Sequence, residues 1–388
     1  MILYPIQKKW KYLAPIVSLV PDGLLRLAAK GFIKFQKQEV LGNEIPKRLV
    51  LFVTKRCNLR CEHCFYIPHT SPAPAMPLNQ IQKIVSSTKG KLNQVIFTGG
   101  EPFLRDDLFE IVSSFVENGC QTVNIITNGT MPERIQSFLN KIFKKNGPQL
   151  VFMVSLDGPP AIHDKIRRVS GSAEKTFETL SLLSEYYQKY PQRFGNVFVS
   201  TSINRLNLDY LAQTITEVKR FKNIQHAFNF TRSADLHTFG APQDSLSGFN
   251  VSKEIMLNID EMKGVLEYLD KEFWNKSNTP LISLINRQTM IETIRILEKK
   301  AGNFNCLAGK TEIIVYPEGD VAICEMLKPV GNLKESDYDL VEFYQRHKEK
   351  FQTKKLCRCT HDCAILSSIR FSPESLVEMV KRKRYNKQ

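Results

Sequence analysis

Residues 48–64 read RLVLFVTKRCNLRCEHC, an apolar run that breaks into a polar loop carrying Cys57, Cys61 and Cys64. Leu49–Thr54 has the length and composition of a buried strand. Similar runs recur at Gln94–Thr98, Thr122–Thr127, Leu150–Ser155, Val197–Ile203 and Gln225–Thr231. Helical periodicity fills the intervals at Leu78–Ser87, Leu108–Asn118, Pro132–Lys144, Glu174–Tyr190 and Leu208–Phe221. Short buried strands alternating with amphipathic helices predict βαβ units and a parallel sheet, and six of them predict a barrel or partial barrel. In such folds the chemistry gathers in the loops after the strands. The three cysteines stand in the first of these loops.

Their spacing, three residues and then two, limits the metal they can hold. Thiolates suit iron–sulfur clusters and zinc. A cubane cluster takes one ligand per iron, so three cysteines leave one iron open, whereas a zinc ion takes four ligands. His63 is a candidate fourth ligand for zinc, although adjacent residues seldom point at one ion. Further motifs follow the later strands: Gly99-Gly100-Glu101-Pro102 the second, Thr127-Asn128-Gly129 the third, and Ser155-Leu156-Asp157-Gly158 the fourth, with His163–Arg167 behind. Each alone is a common turn. Together they converge on one end of the predicted sheet.

This combination resembles the radical SAM superfamily over roughly residues 48–232. The resemblance implies an α/β fold, a partial (β/α)6 barrel followed by a small α+β cysteine-rich auxiliary-cluster domain. It implies a catalytic [4Fe–4S] cluster on Cys57, Cys61 and Cys64, with S-adenosyl-L-methionine chelated at the open iron. Reductive cleavage of the sulfonium would yield a 5′-deoxyadenosyl radical that takes hydrogen from a substrate, and the electron would come from an external flavodoxin or ferredoxin. By the same resemblance, Gly99 and Gly100 let backbone approach the cofactor and Glu101, beside Pro102, accepts from the methionine amino group. Ser155 and Asp157 bind ribose or carboxylate oxygens with Asn128 nearby, Arg167 pairs with the methionine carboxylate, and Asn204 is a further contact. Phe65 and Tyr66 either cover the adenine or pack in the core.

A second cysteine group comprises Cys306, Cys324, Cys357, Cys359 and Cys363. Between the first two, Val-Tyr-Pro-Glu-Gly-Asp-Val reads as two strands around a turn. The group resembles the superfamily's C-terminal auxiliary-cluster extension in its short, twitch-type form rather than the longer SPASM form. That implies one auxiliary [4Fe–4S] cluster, with Cys306, Cys324, Cys359 and Cys363 as the expected ligands and Cys357 as spare. Its expected task is to take an electron from the substrate radical. Zinc on four cysteines is the alternative. His361 is a candidate ligand, although a helix-capping or surface role is the favoured reading, and Cys120 reads as a buried small hydrophobe.

The 388 residues favour more than one domain. The expected divisions are a basic amphipathic segment 1–47, the barrel 48–232, a linker and helices 233–304, the auxiliary domain 305–371 and a basic tail 372–388. No signal peptide and no apolar run of about 18 residues is visible, so the cysteines read as metal ligands in a reducing, cytoplasmic setting. The net charge is +15, and both ends are basic. Residues 22–37 would place Leu24, Leu25, Ala28, Phe32 and Phe35 on one side of a helix that packs under the barrel or lies at the inner membrane face. Fewer residues precede the barrel than the about 80 of a small peptide-recognition domain, so a leader-peptide binder of that type is not expected. The expected substrate is an unidentified small molecule or lipid-like compound, with maturation of a peptide or protein side chain as the alternative. Nucleic-acid binding has only the charge in its favour.

Overall fold

The computed structural model describes residues 19–40, 44–64, 66, 74–144, 147–232, 253–274, 281–298, 304–325, 327–352 and 360–381, with 35–40 as backbone only. Phe65, Cys357, Cys359 and most of the loop at 233–253 lie outside the described residues.

Six parallel strands, β1 (Arg48–Thr54), β2 (Gln94–Gly99), β3 (Thr122–Thr127), β4 (Gln149–Ser155), β5 (Phe194–Ile203) and β6 (Ile224–Phe230), lie side by side in chain order. Burial alternates along them. In β3, Val123, Ile125 and Thr127 are buried, whereas Thr122, Asn124 and Ile126 are half-buried. The buried set packs with side chains of α2 (Leu78–Ser87), α3 (Leu108–Glu117), α4 (Pro132–Ile142) and α6 (Ser172–Lys189) into the main core, which includes Phe97, Phe115, Phe152 and Cys120. Each such large side chain contributes about 1.5–3 kcal/mol on burial. The other face is more polar. Gln94 reaches Asn124, and Gln225 reaches Asn196, both at 2.9 Å.

α5 (Pro160–Arg167) was not apparent from periodicity, because eight residues give barely two turns of pattern. α7 (Leu211–Lys219) begins after one tighter turn at Leu208–Tyr210. Within the expected linker and helices, α8 (Ile259–Leu269) starts where Asn258 and Glu261 form a reciprocal cap. α9 (Leu281–Leu297) follows.

The predicted hairpin is present as β7 (Ile313–Val315) and β8 (Asp320–Ala322), joined by the short β9 (Gly331–Asn332). It belongs to the barrel's own sheet. β7 pairs parallel with β1, Ile314 opposite Val50, giving the order β6-β5-β4-β3-β2-β1-β7-β8-β9. β1 is thus interior to the sheet, which explains why it reads as a continuous apolar run. α10 (Leu340–Arg346), α11 (Lys348–Gln352), α12 (Asp362–Ile369) and α13 (Pro373–Lys381) complete the described chain.

Two expectations about the ends change. Residues 373–381 are helix, and α13 packs against α1 (Asp22–Val40), with Lys381 Nζ 2.7 Å from Asp22. Among the described residues, α1 therefore has a C-terminal helix as a partner. Its better-covered stripe is Leu25, Ala29, Phe32 and Ile33, leaving Leu24 and Ala28 exposed. Among the described residues, no helix is long and apolar enough to cross a membrane.

Candidate functional site

Three sets of contacts brace the loop Cys57–Cys64 against neighbouring strand ends. The first comes from β2. Gly100 N–H donates to Thr54 O and Glu101 N–H to Arg56 O, both at 2.8 Å. A Cβ on Gly100 would lie 2.0 Å from Arg56 O, and one on Gly99, at φ 126°, 2.4 Å from Thr54 O. The close approach expected of these glycines is toward the base of the cysteine loop.

The second brace comes from the loop after β3. Asn128 Nδ2 donates to Asn58 Oδ1 at 2.9 Å, and Asn58 Nδ2 to Thr130 Oγ1 at 2.8 Å. The Asn128 side chain also takes two donors from Thr130. Glu101 ties both loops together. Its carboxylate accepts from Phe103 N, Thr127 Oγ1 and Asn128 N at 3.1, 2.9 and 2.7 Å. The group is fully buried. Burial pushes its pKa up to about 7, against the pull of those donors. Pro102 opens the short helical turn that follows, Pro102–Leu104.

The third brace comes from β4 and α5. Glu62 N–H donates to Ile166 O at 2.8 Å, and Arg168 grips Glu62 with two bonds of 2.7 and 2.6 Å. Arg167 Nη1 lies 3.5 Å from Cys61 Sγ, and its Nη2 2.6 Å from Asp157 Oδ2. Asp157 is fully buried and also accepts from Ser202 N at 3.0 Å. Burial raises its pKa, but the charges of Arg167 and two histidines outweigh this and hold it below the usual carboxylate range. Asn204 is likewise fully buried, its side chain bonded to Leu206 N and Ser202 O. Ser155 is half-buried on the polar face, paired in register with Ser200.

The geometry thus shows Glu101, Asn128, Asp157, Arg167 and Asn204 bonded within the protein. The first four hold the cysteine loop. A buried charge must find partners, and these have found theirs inside the fold. Tyr66 is 8 % exposed and packs tilted against Phe52, which also meets Tyr316, with centroids 5.1 and 5.0 Å apart. Its described ring contacts are with the core cluster around Phe52 and Tyr316. His63 faces Asp157 at 3.8 Å, and burial lowers its pKa to about 4. Asn58, Thr127, Thr130, Glu62 and Arg168 are braces the sequence reading missed. Asn58 and Glu62 lie between the cysteines, and Thr127 and Thr130 lie within or beside Thr-Asn-Gly. That proximity was the available signal.

The cysteines fit a thiolate-held cluster. Leu59 N–H and Asn128 Nδ2 lie 3.5 and 3.9 Å from Cys57 Sγ, and a guanidinium faces Cys61 Sγ. Donors and a cation around sulfur suit ligands that carry negative charge. Burial raises the Cys57 thiol and pushes Cys64 up to about 12, so a metal must take the proton's place for these to ligate.

In the second group, Cys324 is buried and Cys363 exposed. His361 is 1 % exposed and makes no side-chain cap, which corrects the surface and capping readings and leaves the ligand reading standing. The carboxylate of Glu325 lies 2.8 Å from its Nε2.

A parallel α/β sheet with three closely spaced cysteines after its first strand is the arrangement of an α/β protein with a thiolate-held metal centre at its strand ends. The chain matches the Radical SAM superfamily over residues 51–218, and that stretch is a radical SAM domain. Such a domain implies a [4Fe–4S] cluster and S-adenosylmethionine. The chain is similar to the AdoMet-dependent heme synthase of Oleidesulfovibrio alaskensis, 31% identical over 41% of this chain and 38% of that one. It is also similar to the antilisterial bacteriocin subtilosin biosynthesis protein AlbA of Bacillus subtilis, 24% identical over 77% of this chain and 60% of that one. Among solved structures it resembles Streptococcus suis SuiB bound to S-adenosylmethionine, with TM-score 0.57 and 15% identity over 80% of this chain and 68% of that one. The chain spans about two fifths to three fifths of the length of these two curated relatives.

Proposed function

We propose that this protein is a radical SAM enzyme acting on a small molecule or lipid-like compound. The observation that carries the reaction class is the three-sided bracing of the Cys57–Cys64 loop. When bound, the cluster and S-adenosylmethionine supply a one-electron cleavage whose radical removes a hydrogen atom from substrate. Cys57, Cys61 and Cys64 hold the cluster. Glu101, Asn128, Asp157 and Arg167 fix the loop, and contact with the cofactor through Gly99, Gly100, Pro102, Ser155, Asn204 and Phe65 belongs to the same proposal. The half-buried strand face with Ser155, Ser200 and Asn229, where Asn229 donates to Ser200, supports binding of a polar-headed substrate. Cys306, Cys324 and the cysteines at 357–363 hold an auxiliary centre for electron transfer, and an external low-potential donor supplies the first electron.

Exposed Leu19, Leu24 and Leu27 beside Arg26 and Lys30 support peripheral contact with an anionic surface. Co-sedimentation with anionic liposomes at low salt tests this, and protein left in the supernatant refutes it. Maturation of a peptide is the second reading, supported by similarity to AlbA across 77% of the chain. Deuterium-labelled candidates of both kinds distinguish the two. Label transferred into 5′-deoxyadenosine from a small molecule supports the first reading, and label transferred only from peptides overturns it.

A further inference from the structure

Cys324, Glu325, His361 and Cys363 form a cluster at the start of α12 that the first cysteine loop does not use. His361 comes just before the helix, yet its ring is turned into the protein. Its Nδ1 lies 3.6 Å from Cys324 Sγ, and its Nε2 lies 2.8 Å from Glu325 Oε2. Cys363 Sγ, a ring nitrogen of His361 and a carboxylate oxygen of Glu325 all fall within 4.8 Å of one another.

Two ligands on one tetrahedral metal, with metal–sulfur near ~2.3 Å and metal–nitrogen near ~2.0–2.1 Å, stand about 3.6 Å apart. The Cys324–His361 separation has that value without a metal to impose it. The opposite side of the ring has what a metal-bound imidazole needs. A carboxylate accepting from Nε2–H fixes the tautomer that leaves the Nδ1 lone pair free, and such outer partners orient most histidine ligands. A thiolate–imidazole set of this kind suits iron or zinc.

We infer that His361 is a ligand of the C-terminal metal centre through Nδ1, sharing a metal atom with Cys324. Cys363 supplies a further thiolate, and Glu325 is the outer residue that holds the ring. The inference rests on reading the C-terminal cysteines as a metal centre, and it replaces an all-cysteine ligand set with a mixed one. A plain thiol–imidazole hydrogen bond would have the same length, but it predicts no nitrogen next to the metal.

The test uses the full chain carrying C57S, C61S and C64S, which isolates the C-terminal centre. Anaerobic samples are reconstituted with iron and sulfide or, in parallel, with zinc alone, and X-ray absorption is measured at the edge of the bound metal. The expected zinc shell has about one nitrogen or oxygen scatterer at about 2.0–2.1 Å beside sulfur at about 2.3 Å, and in a four-iron cluster the same ligand averages to about one quarter of a scatterer per iron. H361A should lose the light scatterer, and E325Q should weaken metal binding about 10–100-fold. The first readout needs no change at His361, so misfolding of that variant cannot blunt it. An all-sulfur shell overturns the role of His361 while leaving the auxiliary centre in place. Absence of bound metal from both samples overturns both.

Discussion

Gly100 is the residue whose role is most sharply defined, because its missing Cβ lets two backbones touch. G100A places a methyl group 2.0 Å from Arg56 O, where no side-chain rotation relieves it. We expect a loss of about 1–3 kcal/mol, as for other overpacked sites, and reduced iron at the first site. G31A is the control. A Cβ there meets nothing within 4 Å, and a helix gains about 0.5–1 kcal/mol when Ala replaces Gly. Thermal denaturation and iron analysis of the two variants check this. Asp157 carries a second expectation. D157N leaves Arg167 as a buried charge with its ion partner removed, at a cost of about 3–5 kcal/mol, measurable by urea denaturation at neutral pH. His226 sets a pH dependence. Burial lowers its pKa to about 3, and it stays neutral against Thr201 Oγ1 at 2.7 Å. A folded pKa below the unfolded value of about 6.5 means that unfolding takes up a proton below that pH. Stability from this group is present above pH ~6.5 and falls by up to about 1.4 kcal/mol per pH unit as the medium is acidified toward 3. H226Q should flatten that part of the stability curve, and an unchanged slope would refute the assignment.

Among the elements, the decisive pairing is β7 on β1. Ile313, Ile314 and Val315 are almost fully buried, and β1 has no free edge as a result. Hydrogen exchange should therefore protect amides of 49–53 and 313–315 to similar extents and open them together. Rapid exchange in 313–322 beside a protected β1 would instead mark an independent C-terminal domain. This pairing also shows what the sequence made legible. All six barrel strands were readable, because buried parallel strands are short apolar runs and helices of ten or more residues show their period. α5 was hidden by its length. The partner of β7 was hidden because three apolar residues fit any sheet edge. The cysteine loop was legible from spacing alone, and so was the convergence of the GGEP, TNG and SLDG segments. The direction of their side chains was not. Motif resemblance pointed Glu101, Asp157 and Arg167 at a cofactor; the fold in addition pairs Asp157 with Arg167 and gives Glu101 donors from Phe103, Thr127 and Asn128. His361 was ranked as a cap or surface residue ahead of a ligand for a related reason: only the fold brings Glu325 and Cys324 beside it from 36 and 37 positions away.

For the whole molecule, one continuous sheet carries both cysteine groups. β1 leads into Cys57, and β8, two strands away, leads into Cys324. Lys55 bridges the start of the cysteine loop to Glu318 in the β7–β8 turn at 2.8 Å. The two cysteine groups therefore share one scaffold. Substituting Glu318 with alanine should leave the fold intact and alter stability by no more than about 1 kcal/mol, since the pair is partly exposed. Thermal denaturation of that variant measures the effect. The account as a whole depends on the first cysteine loop binding a cluster that reacts with S-adenosylmethionine. The direct measurement is 5′-deoxyadenosine formed by anaerobically reconstituted protein with dithionite and S-adenosylmethionine, compared with C57A, C61A and C64A. The account predicts product from the unaltered chain and none above background from each variant. No product from iron-loaded protein, or undiminished product from the variants, would contradict it.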